Sequence, residues 1–77
     1  MVMDAVVVET NLSESGICVV VHHVGLTYLK VRSGCQISKG DVIFGPLIEV
    51  GNHNFYNETM SDGFQASILM VRPHEEN

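Results

Sequence analysis

Residues 38–50, Ser-Lys-Gly-Asp-Val-Ile-Phe-Gly-Pro-Leu-Ile-Glu-Val, decide the fold that this sequence predicts. They begin with a polar turn, in which Gly40 can adopt a positive φ and Asp41 can hydrogen-bond to the backbone two residues on. The mostly apolar run that follows favours β-structure. Gly45 permits a tight bend within this run, and Pro46 cannot donate to a strand ladder. We therefore predict two short strands, or one bent strand, as at the corner of a β-barrel.

The turn Lys39-Gly40-Asp41-Val42 resembles the turn that leads into a strand in small barrel modules, including the KOW type associated with ribosomes and transcription. The resemblance covers about a dozen residues and consists of turn chemistry that many folds share. It implies a small barrel, and we infer no family from it.

Apolar and polar residues alternate with period 2 in several segments, and no segment has sustained helical periodicity. Besides the central stretch, this pattern predicts strands at 2–9, 17–23, 26–32, 55–58 and 64–71. In the last of them we expect the alternate residues to face inward, namely Phe64, Ala66, Ile68 and Met70. The predicted fold is all-β: a small antiparallel β-barrel, SH3-like or minimal OB-like, of about five to six short strands.

The chain has 77 residues, which predicts one domain over 1–73 and a flexible C-terminal tail over 74–77. Its residues are 45% hydrophobic and 17% charged, an apolar composition for so small a domain. The first and last predicted strands contain no lysine that would blunt an exposed sheet edge. We therefore expect self-association, most simply as a homodimer.

The formal net charge is −5, with only four lysines and arginines. Such a chain is a poor candidate for general nucleic-acid binding, and anionic membranes would repel it. No apolar stretch is long enough to span a bilayer, and no signal peptide is evident. Two cysteines, Cys18 and Cys35, provide no disulfide framework, so we expect a cytoplasmic protein with free thiols.

The four histidines do not form a metal-binding pattern. His22 and His23 are adjacent on a predicted strand, so their side chains leave opposite faces. His53 and His74 have no ligand spacing to either. We expect no metal and no cofactor, and no motif indicates an enzyme. The enzymatic alternative is a thiol or histidine at a subunit boundary, with Cys35 as the first candidate nucleophile.

Two groups of residues are candidates for a binding surface. Residues 51–54 are predicted to form a hairpin loop, and amides and aromatics in and beside it suit contacts with a protein partner: Asn52, His53, Asn54 and Tyr56. Tyr28, Lys30 and Arg32 share one face of the third predicted strand, an arrangement that can hold single-stranded nucleic acid.

The function that the sequence favours is a non-enzymatic binding or oligomerisation module. The alternative is a nucleic-acid or ribonucleoprotein accessory module that uses the face of Tyr28, Lys30 and Arg32.

Overall fold

The computed structural model is a closed barrel of six antiparallel strands, and it describes residues 1–12, 16–34 and 36–74. The strands are β1 Met3–Leu12, β2 Ile17–Val21, β3 Gly25–Gly34, β4 Val42–Gly45, β5 Gly51–Asn57 and β6 Asp62–Pro73. Their order around the barrel is β1-β2-β3-β6-β5-β4, and β4 pairs back with β1. The described residues contain no helix. The predicted all-β small antiparallel barrel is confirmed.

The inward side chains of the six strands form one apolar core. Those of Val7, Val20, Leu29, Ile43 and Ile68 are at most 1% exposed. Cys18 is also buried, as its position in an apolar strand predicts, whereas Cys35 lies outside the described residues. Because alternate strand residues point to opposite sides of the barrel wall, the remaining positions of each strand are available to form an outer surface.

The prediction for 42–50 is half correct. Val42–Gly45 forms β4, but residues 46–50 form a turn, in which the Leu47 N–H donates to the Gly45 carbonyl at 2.9 Å. Pro46 has no N–H to continue the ladder. The apolar residues after it fill the interior instead: Leu47 is fully buried and Ile48 packs against the core. Residues 46–50 therefore have the apolar composition of a strand but form a turn whose side chains fill the barrel interior.

Two strand ends also differ from the prediction. β1 extends beyond the predicted end at residue 9 through residues 10–12, because Leu12 pairs with Ile17 of β2. β2 is shorter than predicted and ends at Val21. A tight turn follows, held by hydrogen bonds between the backbones of His22 and Gly25 at 2.9 and 3.1 Å.

The inward position predicted for Met70 is wrong. Tyr28 pairs with Met70 while the next residue of β3, Leu29, pairs with Ile68. Leu69 is therefore an extra residue in a β-bulge, and the alternation of β6 reverses after it. As a result Met70 is 45% exposed, and Val71 packs against the core in its place.

Neither the first nor the last strand is an edge strand in the described barrel, although both were expected to expose sheet edges. β1 is flanked by β2 and β4, and β6 is flanked by β3 and β5. Closure of the barrel pairs both sides of each of these strands over part of their length. The argument that exposed strand edges would recruit another chain therefore loses its support.

A hydrogen bond joins the C-terminal end of β6 to the turn after β2: the His74 N–H donates to the Val24 carbonyl at 2.7 Å. Residues 75–77 of the predicted flexible tail lie outside the described residues. Within the described part of the chain there is no helix with the length and apolar character needed to cross a membrane.

Candidate functional site

The strand order places β6 between β3 and β5, and this brings parts of the two predicted groups of binding residues onto one outer surface. Across the three strands the paired rows are Lys30–Ser67–Asn52 and Ser33–Gln65–Asn54. We call this surface the polar face; its side chains are those of Lys30, Arg32, Ser33, Asn52, Asn54, Gln65 and Ser67.

The hairpin loop predicted at 51–54 is wrong, because these residues belong to β5. Asn52, His53 and Asn54 pair with successive residues of β6, a strand that lies more than ten positions further along the chain. The strand alternation then separates the predicted binding residues. Asn52, Asn54 and Tyr56 are exposed on the outer side, and His53 points to the inner side with Phe55.

A chain of hydrogen bonds with a fixed direction crosses the polar face. The Nε of Arg32 donates to Oγ of Ser67 at 2.8 Å, and Ser67 donates to Oδ1 of Asn52. Arginine can only donate, so Ser67 must accept from it and give its single proton to Asn52. The accepting atom of Asn52 is then its oxygen, which leaves the Nδ2 hydrogens free to donate.

A second chain of hydrogen bonds crosses the same three strands beside the first. Oγ of Ser33 donates to Oε1 of Gln65 at 3.2 Å, and Nε2 of Gln65 donates to Oδ1 of Asn54 at 3.0 Å. Both side-chain oxygens in this row accept hydrogen bonds within the protein. The unused donors on this part of the face are the remaining N–H groups of Asn54 and Gln65.

Two shallow grooves border the second chain of hydrogen bonds. One, of about 370 Å³, is lined by Arg32, Asn52, His53, Asn54, Gln65 and Ala66. The other, of about 330 Å³, shares Asn54 and Gln65 with the first and continues towards the end of the barrel, where it is lined by Phe55 and Phe64. Both volumes are at the lower end of the range for ligand sites. The polar groove thus adjoins a more apolar one.

The polar face carries positive charge that forms no ion pair with a carboxylate of the described residues. Lys30 and Arg32 are two of the four cations in the chain. Neither forms a salt bridge within the described residues, where the ion pair present joins the N-terminal amine to Glu49. No Asp or Glu lines the 370 Å³ groove. On a protein with a formal charge of −5, this face is a local exception.

The two tyrosines lie at the margins of the polar face. Tyr28 is on the outer side of β3, two positions from Lys30, and pairs with Val19 and Met70. Tyr56 follows Asn54 on the outer side of β5 and pairs with Phe44 and Gly63. Tyr56 and Phe44 are 44% and 38% exposed, so an apolar surface continues from the polar face onto β4.

His53 is not part of the polar face. Its ring stands edge-on to Phe55, with the ring centroids 6.3 Å apart. Its Nε2 is buried and has no hydrogen-bond partner among the described residues. An unpaired buried nitrogen lowers stability.

His22 is buried and its tautomer is fixed by its neighbours. Thr27 donates its hydroxyl proton to the Leu47 carbonyl at 2.7 Å, so it can only accept from Nε2–H of His22, also at 2.7 Å. Nδ1 accepts from the N–H groups of Val24 and Gly25. Burial lowers the pKa of His22, and the nearby His23 and His74 lower it further.

The histidines do not assemble into a metal centre. His22 is buried and His23 is exposed, but both lie in the turn after β2 and not on the predicted strand, and their ring centroids are 6.5 Å apart. The described residues contain no group of three or more His, Cys, Asp and Glu side chains placed to hold a metal ion.

The sequence alone missed the residues that join the site together. Gln65 and Ser67 read as outward-facing positions of the last strand, but nothing local shows that this strand lies between β3 and β5. Comparisons with protein-family models, with curated proteins and with solved structures found no match to this chain. Its function is therefore argued from the polar face itself.

Proposed function

We propose that this protein is a non-enzymatic module that binds a protein partner through the polar face. The observation that carries this proposal is the pair of side-chain hydrogen-bond chains across β3, β6 and β5. They hold exposed amide and guanidinium groups in fixed positions before any partner arrives. Binding to preorganised groups costs less side-chain entropy than binding to mobile ones.

The adjoining surfaces support a protein partner. Interfaces combine polar contacts with aromatic side chains, and Tyr56 lies directly beside Asn54 on β5. The second groove adds Phe55 and Phe64 as an apolar lining. A cytoplasmic setting belongs to this proposal, and it rests on the low cysteine content of the chain.

Single-stranded nucleic acid is the second candidate ligand. The observation in its favour is that Tyr28, Lys30 and Arg32 leave the same side of β3, with an aromatic ring available for stacking. Two cations give few phosphate contacts, however, and phosphate contacts supply most of the affinity for nucleic acid. We therefore place it second.

A homodimer remains part of the proposal on new grounds. Since the barrel closes its own edges, the support now comes from apolar side chains on the outer sides of β1, β4 and β5. Val6, Phe44 and Tyr56 are 42%, 38% and 44% exposed. An exposed apolar surface of this kind is typical of an interaction site.

The proposal is tested by selecting binding peptides from a random display library and mapping them on the ¹⁵N-labelled barrel by NMR. We expect amide shifts concentrated in β3, β5 and β6. Gln65→Ala should weaken the selected peptides, because it removes the centre of one hydrogen-bond chain. Gln36→Ala, an equal truncation at an exposed position outside the face, is the matched control. Shifts confined to another surface would refute the polar face as the binding site.

A further inference from the structure

The hydrogen-bond chains leave the polar face with donors but with few acceptors. In the first chain, Oγ of Ser67 and Oδ1 of Asn52 both accept within the protein. In the second, Oε1 of Gln65 and Oδ1 of Asn54 do the same. Each of these oxygens has one of its two lone pairs occupied, whereas most of the N–H hydrogens are unused: those on the two Nη atoms of Arg32, on Nζ of Lys30 and on the amide nitrogens.

This one-sided polarity follows from arginine at the end of the first chain. Because Arg32 cannot accept, every bond of its chain runs from β3 towards β5. The use of Nε also holds the guanidinium group in place, so that its two Nη atoms remain for a second partner. A guanidinium group oriented in this way is suited to a carboxylate, which takes two parallel N–H bonds.

The spacing of the rows matches an extended peptide. Ser67 and Gln65, the centres of the two rows, are two residues apart on β6. Alternate residues of a strand are about 6.8 Å apart, and so are alternate side chains of an extended peptide. Two acidic side chains at positions i and i+2 can therefore each meet one row of donors.

We propose that the polar face binds an extended acidic peptide segment, with carboxylates of alternate residues held by the donors of the two rows. The carboxylate nearest Lys30 is bound by Arg32 and Asn52, and the next is bound by Asn54 and Gln65. This inference rests on the proposed function and names the chemistry of its partner. The negative net charge of the barrel does not prevent it, because distant surface carboxylates are screened within about 8 Å at physiological salt.

The test uses a blocked synthetic peptide with glutamate at alternate positions, and a second peptide with glutamine at the same positions. Both are titrated into the ¹⁵N-labelled barrel. We expect the glutamate peptide to shift amides of β3, β5 and β6 and to bind about tenfold or more tightly than the glutamine peptide. Its affinity should fall as salt is added.

Three variants locate the interaction. Arg32→Gln should weaken the glutamate peptide about tenfold, whereas Arg72→Gln should not, although each makes the net charge more negative by one unit. Arg72 is exposed at the opposite end of the same pair of strands. Asn52→Asp should also weaken binding, because it keeps the oxygen that accepts from Ser67 and replaces the free donor by an acceptor.

The outcomes distinguish failure of the acidic-peptide proposal from failure of the proposed binding module. Equal binding of both peptides at the polar face would overturn the acidic partner and leave the binding module in place. Equal losses in Arg32→Gln and Arg72→Gln would overturn it too, since only net charge would then matter. If a deoxythymidine oligomer binds this face more tightly than the glutamate peptide, the ligand is nucleic acid and the acidic peptide is wrong. Shifts outside β3, β5 and β6 would overturn both proposals.

Discussion

Oγ1 of Thr27 donates a hydrogen bond of 2.7 Å to the carbonyl oxygen of Leu47 and accepts one of the same length from His22. Thr27 and Leu47 are fully buried, and His22 is 6% exposed. One hydroxyl group therefore joins the turn after β2 to the turn after β4. It satisfies two buried polar groups that have no access to water.

Replacement of Thr27 by valine should destabilise the barrel strongly. Valine fills the same volume but leaves the Leu47 carbonyl and the His22 Nε2–H without a partner. We expect a loss of about 2–4 kcal/mol in the free energy of unfolding, measured by urea titration. Thr10→Val is the matched control, because no hydrogen bond of the Thr10 side chain is present in the described structure. A loss no larger than the control would mean that the two groups find other partners.

The stability of the barrel should depend on the charge of His22. Burial lowers its folded-state pKa below the ordinary value of 6.5, so the unfolded chain takes up the proton first as pH falls. Stability is then fully present above about pH 6.5 and declines as pH drops below that value towards the folded-state pKa. Protonated Nδ1 would also face the N–H groups of Val24 and Gly25.

Urea titrations from neutral to mildly acidic pH measure this dependence. His22→Gln removes the titrating group and should flatten the curve in this range. His23→Gln, at the exposed neighbouring position, should leave most of the slope, because burial of His22 is the largest cause of its lowered pKa. A wild-type curve that is flat or rises on acidification would contradict the lowered pKa of His22.

The sequence predicted what depends on local alternation and missed what depends on strand order. The prediction of which β3 side chains face outward was correct, since the period-2 pattern of this strand is unbroken from Thr27 to Val31. Residues 51–54 have the composition of a turn, and only their pairing with β6 makes them a strand. Met70 was misplaced because a bulge at Leu69 has no sequence signal of its own. The polar face depends on the pairing of β6 with both β3 and β5, so no local pattern could reveal it.

Gly45 is required by its contact with Phe55. A Cβ atom at this position would lie 2.4 Å from Cδ1 of Phe55, whose ring is stacked on Phe64 and cannot withdraw easily. Gly45→Ala should cost about 1–3 kcal/mol of stability through overpacking. Gly63→Ala is the control, because there the nearest atom to a Cβ is the Phe55 carbonyl oxygen at 3.6 Å, an ordinary contact. Equal unfolding midpoints for the two variants would show that the Phe55 ring moves freely.

Replacement of His53 by phenylalanine should stabilise the barrel. The new ring keeps the edge-on contact with Phe55 and removes the buried Nε2 that has no partner among the described residues. We expect a gain of about 1 kcal/mol, seen as a higher urea midpoint. His53→Gln retains a polar group at this position and should bring no such gain. A clear loss of stability in His53→Phe would indicate that Nε2 is hydrogen-bonded in solution.

Self-association should depend on the apolar outer surface and not on strand edges. Phe44 lies directly opposite Tyr56 in the β4–β5 pair, and both side chains are exposed. Full burial of a large apolar side chain contributes about 1.5–3 kcal/mol, and these two are already more than half buried, so each contributes a fraction of that towards the cost of association in a twofold dimer. Sedimentation equilibrium of the wild type at micromolar concentration should then report about twice the chain mass of 8.5 kDa.

The variants that test this dimer remove apolar surface from one place at a time. Phe44→Ser with Tyr56→Ser should give a monomer. Leu69→Ser with Met70→Ser removes two side chains that are each 45% exposed at the bulge of β6, and it should leave the dimer intact. Because all four positions are exposed, each double variant should keep the fold, which amide spectra can verify. If the wild type is already a monomer, the exposed aromatic pair is free for another partner and the homodimer is wrong.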